Sequence, residues 1–250
     1  MVARKMTAPK TARGARLAEF AWTEADVFVF DVEGTLVDAM MPILRCWRET
    51  LEGFGHDVSL AEIHRYAGMD SDEMLAKLVP GATKNERHEM IEKEGARFRE
   101  DYLAHISPLP GGRALLQDLK RSGRKVAIAT DCAKDQLTHY LEVAHIEDVV
   151  DAIACGDDIR RGKPAPSVVE IALRRVKAGR KTAVLVGDTP FDALAARKAG
   201  IIPIGVLTGH FAERELRDAG CRAVFRDLAA LRAAVMRPVA ADAGELVSAA

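Results

Sequence analysis

The sequence predicts an α/β fold, a doubly wound parallel sheet carrying an inserted helical domain, on three observations. Short, nearly continuous apolar runs stop abruptly at a carboxylate or hydroxyl, as in Val27-Phe-Val-Phe30-Asp31 and Ala183-Val-Leu-Val-Gly187-Asp188. Runs of that makeup are strands covered on both faces. From about residue 107 onward such runs alternate with amphipathic stretches, the βαβα pattern of a parallel sheet. Between about 40 and 106 apolar residues recur instead at helical spacing, without a convincing strand, over a length too great for a simple connection.

The elements follow in order. Val27–Phe30 opens the sheet. Ile43, Trp47, Leu51 and Phe54, spaced by four, four and three, predict one face of a helix, and Met74, Leu75, Leu78 and Val79 and then Ile91, Phe98 and Tyr102 predict two more. The segment Pro108-Leu-Pro-Gly-Gly112 punctuates the chain. After it come strand 125–130, helix 134–143, strand 152–155, helix 167–177, strand 182–187, helix 190–199 and strand 202–206. The expected division is a basic tail (1–22), an α/β core (23–39 and 107–236), a helical insertion (40–106) and an alanine-rich C-terminal tail (237–250).

Composition sets the bounds. With 250 residues, 48% of them hydrophobic, the chain can bury a full core. A net charge of -1 supplies no general attraction for nucleic acid or anionic membrane. The basic first 20 residues lack the apolar segment of a secretory signal, and no apolar stretch approaches bilayer-spanning length, so the expected setting is the cytoplasm. Cys46, Cys132, Cys155 and Cys221 form no C-x-x-C pair and are expected to be buried thiols in a reducing compartment.

Four strand ends carry the chemistry. In a doubly wound sheet ligands bind beyond the carboxyl ends of the strands. Asp31 is followed by Glu33, Gly34 and Thr35, so a turn-forming glycine lies among groups that bind phosphate or metal. Asp188 precedes a helix for which Thr189 is the expected N-cap, Pro190 the first residue and Asp192 a first-turn acid. Helix capping alone explains Asp192, but two carboxylates delivered to one sheet edge suit Mg²⁺, which prefers hard oxygen donors. Thr130 ends a third strand, with Asp131 beside it. Lys163 stands between Gly162 and Pro164, where a restricted backbone can fix the one cation needed among these acids.

Together these four sites resemble the motifs of the haloacid dehalogenase superfamily: Asp31-Val-Glu33-Gly34-Thr35, Thr130, Gly162-Lys163-Pro164, and Gly187-Asp188-Thr189-Pro190-x-Asp192. The resemblance covers roughly residues 26 to 231. It includes a helical cap placed as in phosphoglycolate phosphatase and β-phosphoglucomutase, on a Rossmann-like core. It implies a Mg²⁺-dependent phosphatase acting on a small-molecule phosphate ester, with Asp31 as nucleophile and Glu33 as general acid and base. Thr130 and Lys163 would hold the phosphoryl oxygens, and Asp31, Glu33 (through its carbonyl), Asp188 and Asp192 the metal. Gly34, Thr35, Asp131, and Met69 and Asp70 of the cap loop would line the substrate site, with Ser71 capping the next helix. Arg45 and Arg65 are further candidates for a substrate carboxylate.

Two residues depart from the superfamily pattern. Glu33 stands where aspartate is common; enolase-phosphatase is similar in carrying glutamate there, which favours a phosphatase over a sugar phosphomutase. Asp131 stands where asparagine or serine is common, and a negative charge there must point away from phosphate or meet a cation. A receiver-like, non-catalytic phosphate-binding regulator is the alternative of another class, but receivers lack both the large insertion and the Gly-Asp-x-x-x-Asp element. The sequence leaves the oligomeric state open.

Overall fold

A computed structural model describes residues 25–177 and 179–237. The basic tail 1–22 and all of the C-terminal tail but Arg237 lie outside the described residues. Six strands form one parallel sheet in the order β3-β2-β1-β4-β5-β6, with β1 at Val27–Phe30, β2 at Lys125–Ala129, β3 at Ala152–Ala154, β4 at Ala183–Gly187, β5 at Ile202–Val206 and β6 at Ala223–Phe225. The first five coincide within a residue at either end with the apolar runs that predict them, whereas no such run marks β6. That strand is three residues long and only partly buried, so it shows little apolar contrast with its surroundings.

Both faces of the sheet are covered, which is why its strands read as continuous apolar runs. Phe28 and Phe30 of β1, Val126 and Ile128 of β2, and Val184 and Val186 of β4 share a cluster with α5 (Gly112–Arg121), α6 (Lys134–Ala144) and α10 (Leu228–Val235). The alternate residues Val27, Val29, Ala127, Ala129 and Leu185 pack with α7 (Ser167–Val176) and α8 (Pro190–Ala199).

Between β1 and α5 the chain forms α1 (Met40–Gly53), α2 (Leu60–His64), α3 (Ser71–Leu78) and α4 (Lys84–Arg97), with a π-helical turn at Phe98–Tyr102. The insertion leaves and rejoins the core through one narrow neck. Val37 bridges Pro108, Asp38 N donates to Ser107 O at 2.8 Å, and Leu109 N donates to Leu36 O at 2.9 Å. Its apolar residues, among them Leu44, Trp47, Leu51, Ile63, Met74 and Leu75, form a third cluster that also takes in Ala193, Phe211 and Leu216 of the core. The insertion is thus packed on the core as well as tethered to it.

Two local expectations need correction. Phe54 does not extend the apolar face of α1: the helix ends at Gly53, Gly55 adopts φ +83°, and the turn carries the Phe54 ring out to 36% exposure. The N-cap of α3 is Asp70 rather than Ser71, because the Asp70 carboxylate is the group that accepts from Glu73 N.

The packing yields a paired stability prediction. Leu185 is fully buried at the centre of the sheet, so Leu185→Ala should lower the unfolding free energy by about 2–5 kcal/mol. The exposed Phe54→Ala should stay within about 0.5 kcal/mol of wild type. Urea unfolding of both variants checks the contrast.

Candidate active site

The sheet register brings the chemical groups to one edge. Phe30 is level with Ile128 of β2 and Val186 of β4, so Asp31, Thr130 and Asp188 emerge together at the carboxyl ends of three adjacent strands. Strand order reverses direction at β1 and β4, which opens the crevice in which doubly wound sheets bind ligands. Over it lies a cavity of about 540 Å³ lined by Asp31, Glu33, Thr130, Asp131 and Lys163 from below and by residues of the helical insertion, Met69 among them, from above.

Lys163 organises the floor. Its Nζ lies 2.7 Å from Asp31 Oδ1 and 2.8 Å from Asp192 Oδ1, and all three side chains are buried. Burial alone would drive the ammonium toward neutrality, but Asp192 and Asp31 outweigh it and hold Lys163 well above the ordinary lysine range. Asp192 is fully engaged: Oδ1 accepts from Lys163, while Oδ2 accepts from Thr189 N at 3.1 Å and Thr189 Oγ1 at 2.7 Å. The expected Thr189 N-cap and Pro190 start of α8 are both present, so Asp192 completes the capping box and aims the lysine at once.

Oxygens of Asp31, Asp188 and Asp192 lie within 4.8 Å of one another, all buried. Three carboxylates facing one ammonium leave an excess of negative charge out of water, which is costly unless the acids take up protons or a cation joins them. Burial pushes Asp31 up to about 7, against the pull of Lys163. Burial and the charges of Asp192 and Asp31 push Asp188 well above the carboxylate range. Asp188 Oδ2 is buried without a hydrogen-bond partner, and a Cβ added at Gly34 or Gly209 would fall on that carboxylate. Hard oxygen donors, surplus negative charge and an orphaned carboxylate oxygen fit a Mg²⁺ ion.

The remaining expected site residues divide between cavity and scaffold. Gly34, at φ +77°, allows the turn to pass against Asp188, and Thr35 Oγ1 donates to Asp188 Oδ1 at 2.6 Å, so both serve Asp188 rather than line the cavity. Asp131 does not confront phosphate with both oxygens, since its Oδ2 accepts from the backbone N of Lys163 at 2.6 Å and fixes the lysine loop. Asp70 joins the same loop from the insertion: its Oδ2 accepts from Gly162 N at 2.7 Å and its own N donates to Lys163 O at 2.7 Å. Arg161 to Glu73 at 2.6 Å and His64 Nε2 with Gly209 O at 2.8 Å add further contacts between insertion and core. Arg45 and Arg65 are exposed and outside the cavity lining.

Sequence reasoning missed two groups. Tyr140 of α6 donates its hydroxyl to Glu33 Oε1 at 2.9 Å. Burial pushes Glu33 up, and this bond and Lys163 draw it part of the way back. In the sequence Tyr140 is one more apolar position of a core helix, and the only clue was its hydroxyl. Thr208 Oγ1 donates to Gly34 O at 2.5 Å, bracing the turn after β1 from a loop with no motif of its own.

A Rossmann-like core with a helical insertion and a strand-end cluster of carboxylates around one lysine defines the class as a phosphoryl-transfer hydrolase. The comparisons agree: the family model for haloacid dehalogenase-like hydrolases matches residues 28–206, and the chain belongs to that family. Phosphoglycolate phosphatase of Aquifex aeolicus is 26% identical over 175 residues, 70% of this chain and 81% of the relative. Pyrophosphatase PpaX of Halalkalibacterium halodurans is 25% identical over 182 residues, 71% and 81% of the two chains. The crystal structure of a hydrolase from Pseudomonas syringae superposes with a TM-score of 0.78 at 29% identity, covering 83% of this chain and 95% of that one. The protein is an enzyme of the phosphatase kind rather than a receiver-like regulator.

The buried acids predict a pH-dependent stability. Folding raises Asp31 from 3.8 to about 7, so the folded state binds this proton more tightly than the unfolded chain. Its contribution is complete below about 4 and is lost as pH rises through about 7; Asp188, Glu33 and Asp131 shift in the same direction. Urea unfolding in EDTA should show this loss between those limits, reduced in Asp31→Asn. Millimolar Mg²⁺ should diminish it in wild type by favouring the ionised acids.

Proposed function

We propose that the enzyme is a Mg²⁺-dependent phosphatase that hydrolyses a small-molecule phosphate monoester through a phosphorylated Asp31. The observation that carries this reading is the position of Asp31, at the end of the central strand under the cavity, paired at 2.7 Å with a buried lysine. Asp31 Oδ attacks phosphorus, forming an O–P bond as the bond to the leaving oxygen breaks. Glu33, held by Tyr140, gives its proton to that oxygen, and burial keeps it protonated to higher pH than an ordinary glutamate. The resulting Glu33 carboxylate then takes a proton from water, which attacks phosphorus and releases Asp31 and inorganic phosphate.

Lys163 Nζ donates to Asp192 and forms a close ion pair with Asp31, whose Oδ1 it does not hydrogen-bond, so donor capacity remains for a phosphoryl oxygen. The Thr130 hydroxyl accepts from Cys132 N at 3.4 Å, and its own hydrogen goes only to the weak acceptor Cys132 Sγ at 3.4 Å, so it can turn to donate to another. Asp31, Asp188 and the Glu33 carbonyl would hold Mg²⁺, with Asp192 as a further ligand or as the support that orients Lys163. When bound, the ion supplies the positive charge that keeps the acids ionised and offsets that of the phosphoryl group. Residues 40–106 act as the cap that covers the leaving group and excludes water, through the Asp70 and His64 contacts. No helix among the described residues is long and apolar enough to cross a membrane, and four buried, unpaired cysteines support a reducing, cytoplasmic setting.

Purified protein with Mg²⁺ should release phosphate continuously from p-nitrophenyl phosphate. Asp31→Asn should abolish this, and Glu33→Gln should reduce it by about 10²–10⁴-fold. Absence of turnover across a broad panel of phosphate esters would overturn the reading. Tyr140→Phe removes the bond that lowers the Glu33 pKa, so the alkaline limb of kcat/KM should move to higher pH; an unchanged profile would leave Tyr140 a packing role only.

A further inference from the structure

The cavity roof presents a largely apolar surface above the strand-end carboxylates. Met40, Leu44, Trp47, Met74, Ile91 and Phe98 all line it. The charged groups of the cavity are predominantly acidic: Glu94 comes from α4, with the exposed Glu92 at the rim, and Glu33, Asp31 and Asp131 come from the floor. Among the described lining residues the cations are Lys163 and Arg99. Lys163 is committed to Asp31 and Asp192 beside the reacting atoms. The Arg99 side chain is 45% exposed and lies 3.8 Å from Asp135, which is outside the cavity lining. The roof therefore provides no buried cation for a second anionic group on the substrate.

We infer that the substrate is a phosphate ester of a predominantly apolar alcohol bearing no anionic group, seated against Trp47 and Ile91, with Glu94 meeting a hydroxyl or amine on it. The inference rests on the phosphatase reading of the same site and narrows its substrate class. Desolvating a carboxylate or a second phosphate in this roof would cost free energy that the half-exposed Arg99 returns only in part, whereas an apolar leaving group gains by leaving water. Glu94 shows the same penalty on a resident acid: burial, and then the charge of Glu33, push it up to about 8. The pocket is thus ill suited to the glycolate leaving group of a phosphoglycolate phosphatase and to the phosphate leaving group of a pyrophosphatase, despite the similarity to enzymes so named.

Two phosphonates that share the phosphoryl end and differ in the tail test this by calorimetry on the full chain with Mg²⁺. We expect 3-phenylpropylphosphonate to bind at least about tenfold more tightly than 3-phosphonopropionate. Trp47→Ala should weaken the phenyl compound several-fold and leave the carboxylated one unchanged. Ile91→Ser, at a half-buried position, makes the same test if the tryptophan variant does not fold. Equal or tighter binding of 3-phosphonopropionate overturns the inference, as does failure of both to bind or a preference unmoved in both folded variants. Loss of 3-phosphonopropionate binding in Arg99→Gln also overturns it, because the arginine would then be an inward-turning anion receptor. In turnover, phenethyl phosphate should exceed 2-phosphoglycolate at least about tenfold in kcat/KM. Absence of turnover with every ester would sink the phosphatase reading and leave the binding ratio readable.

Discussion

The buried ammonium of Lys163, shared between Asp31 and Asp192, is the interaction on which the strand-end site depends. Removing one partner from such an arrangement strands an uncompensated charge in a dry place, which is far more costly than losing a surface ion pair. That cost explains the scaffolding around the lysine. Asp131 takes its backbone N–H, Asp70 takes the N–H of Gly162 and returns one to the Lys163 carbonyl, and Thr189 holds the far side of Asp192. The lysine's position is therefore set by the core sheet, by a helix cap and by the helical insertion together.

The same electrostatics divides labour among the acids. Asp192 satisfies itself within the protein, whereas Asp188 keeps one buried oxygen without a partner. Asp31 lies between these extremes, paired with the lysine yet pushed up by burial. A site with one settled acid and two unsettled ones is built to gain from a cation and a phosphate arriving together. Glu33 stands apart, tied to a tyrosine of the core, and its longer side chain reaches that partner across 107 residues of sequence.

The sheet and the strand-end acids were legible in the sequence because both depend on local pattern. A strand covered on both faces must be apolar along its length, and the residue that ends it is conspicuous when it is charged. Asp31 and Asp188 stood out on that basis, as did the capping of α8. What escaped were relations set by the third dimension. Tyr140 reads as core until the fold carries its hydroxyl to Glu33, and the short β6 lacks the contrast that marks a central strand. Asp131 illustrates the limit well. Its charge was visible, but its direction, toward the backbone of Lys163, is decided by a loop more than 30 residues further along the chain.

The neck at Val37–Pro108 and Leu36–Leu109 has a consequence for how such a molecule can diversify. Because the insertion departs and returns through adjoining points, it occupies the topological place of a single loop. Its length and sequence can vary without altering the order of the strands. The groups assigned to phosphoryl transfer all lie outside it, while the apolar roof lies almost wholly within it. Selectivity can accordingly drift by exchange of roof residues while the reaction is inherited intact, so two chains with the same floor need share no substrate.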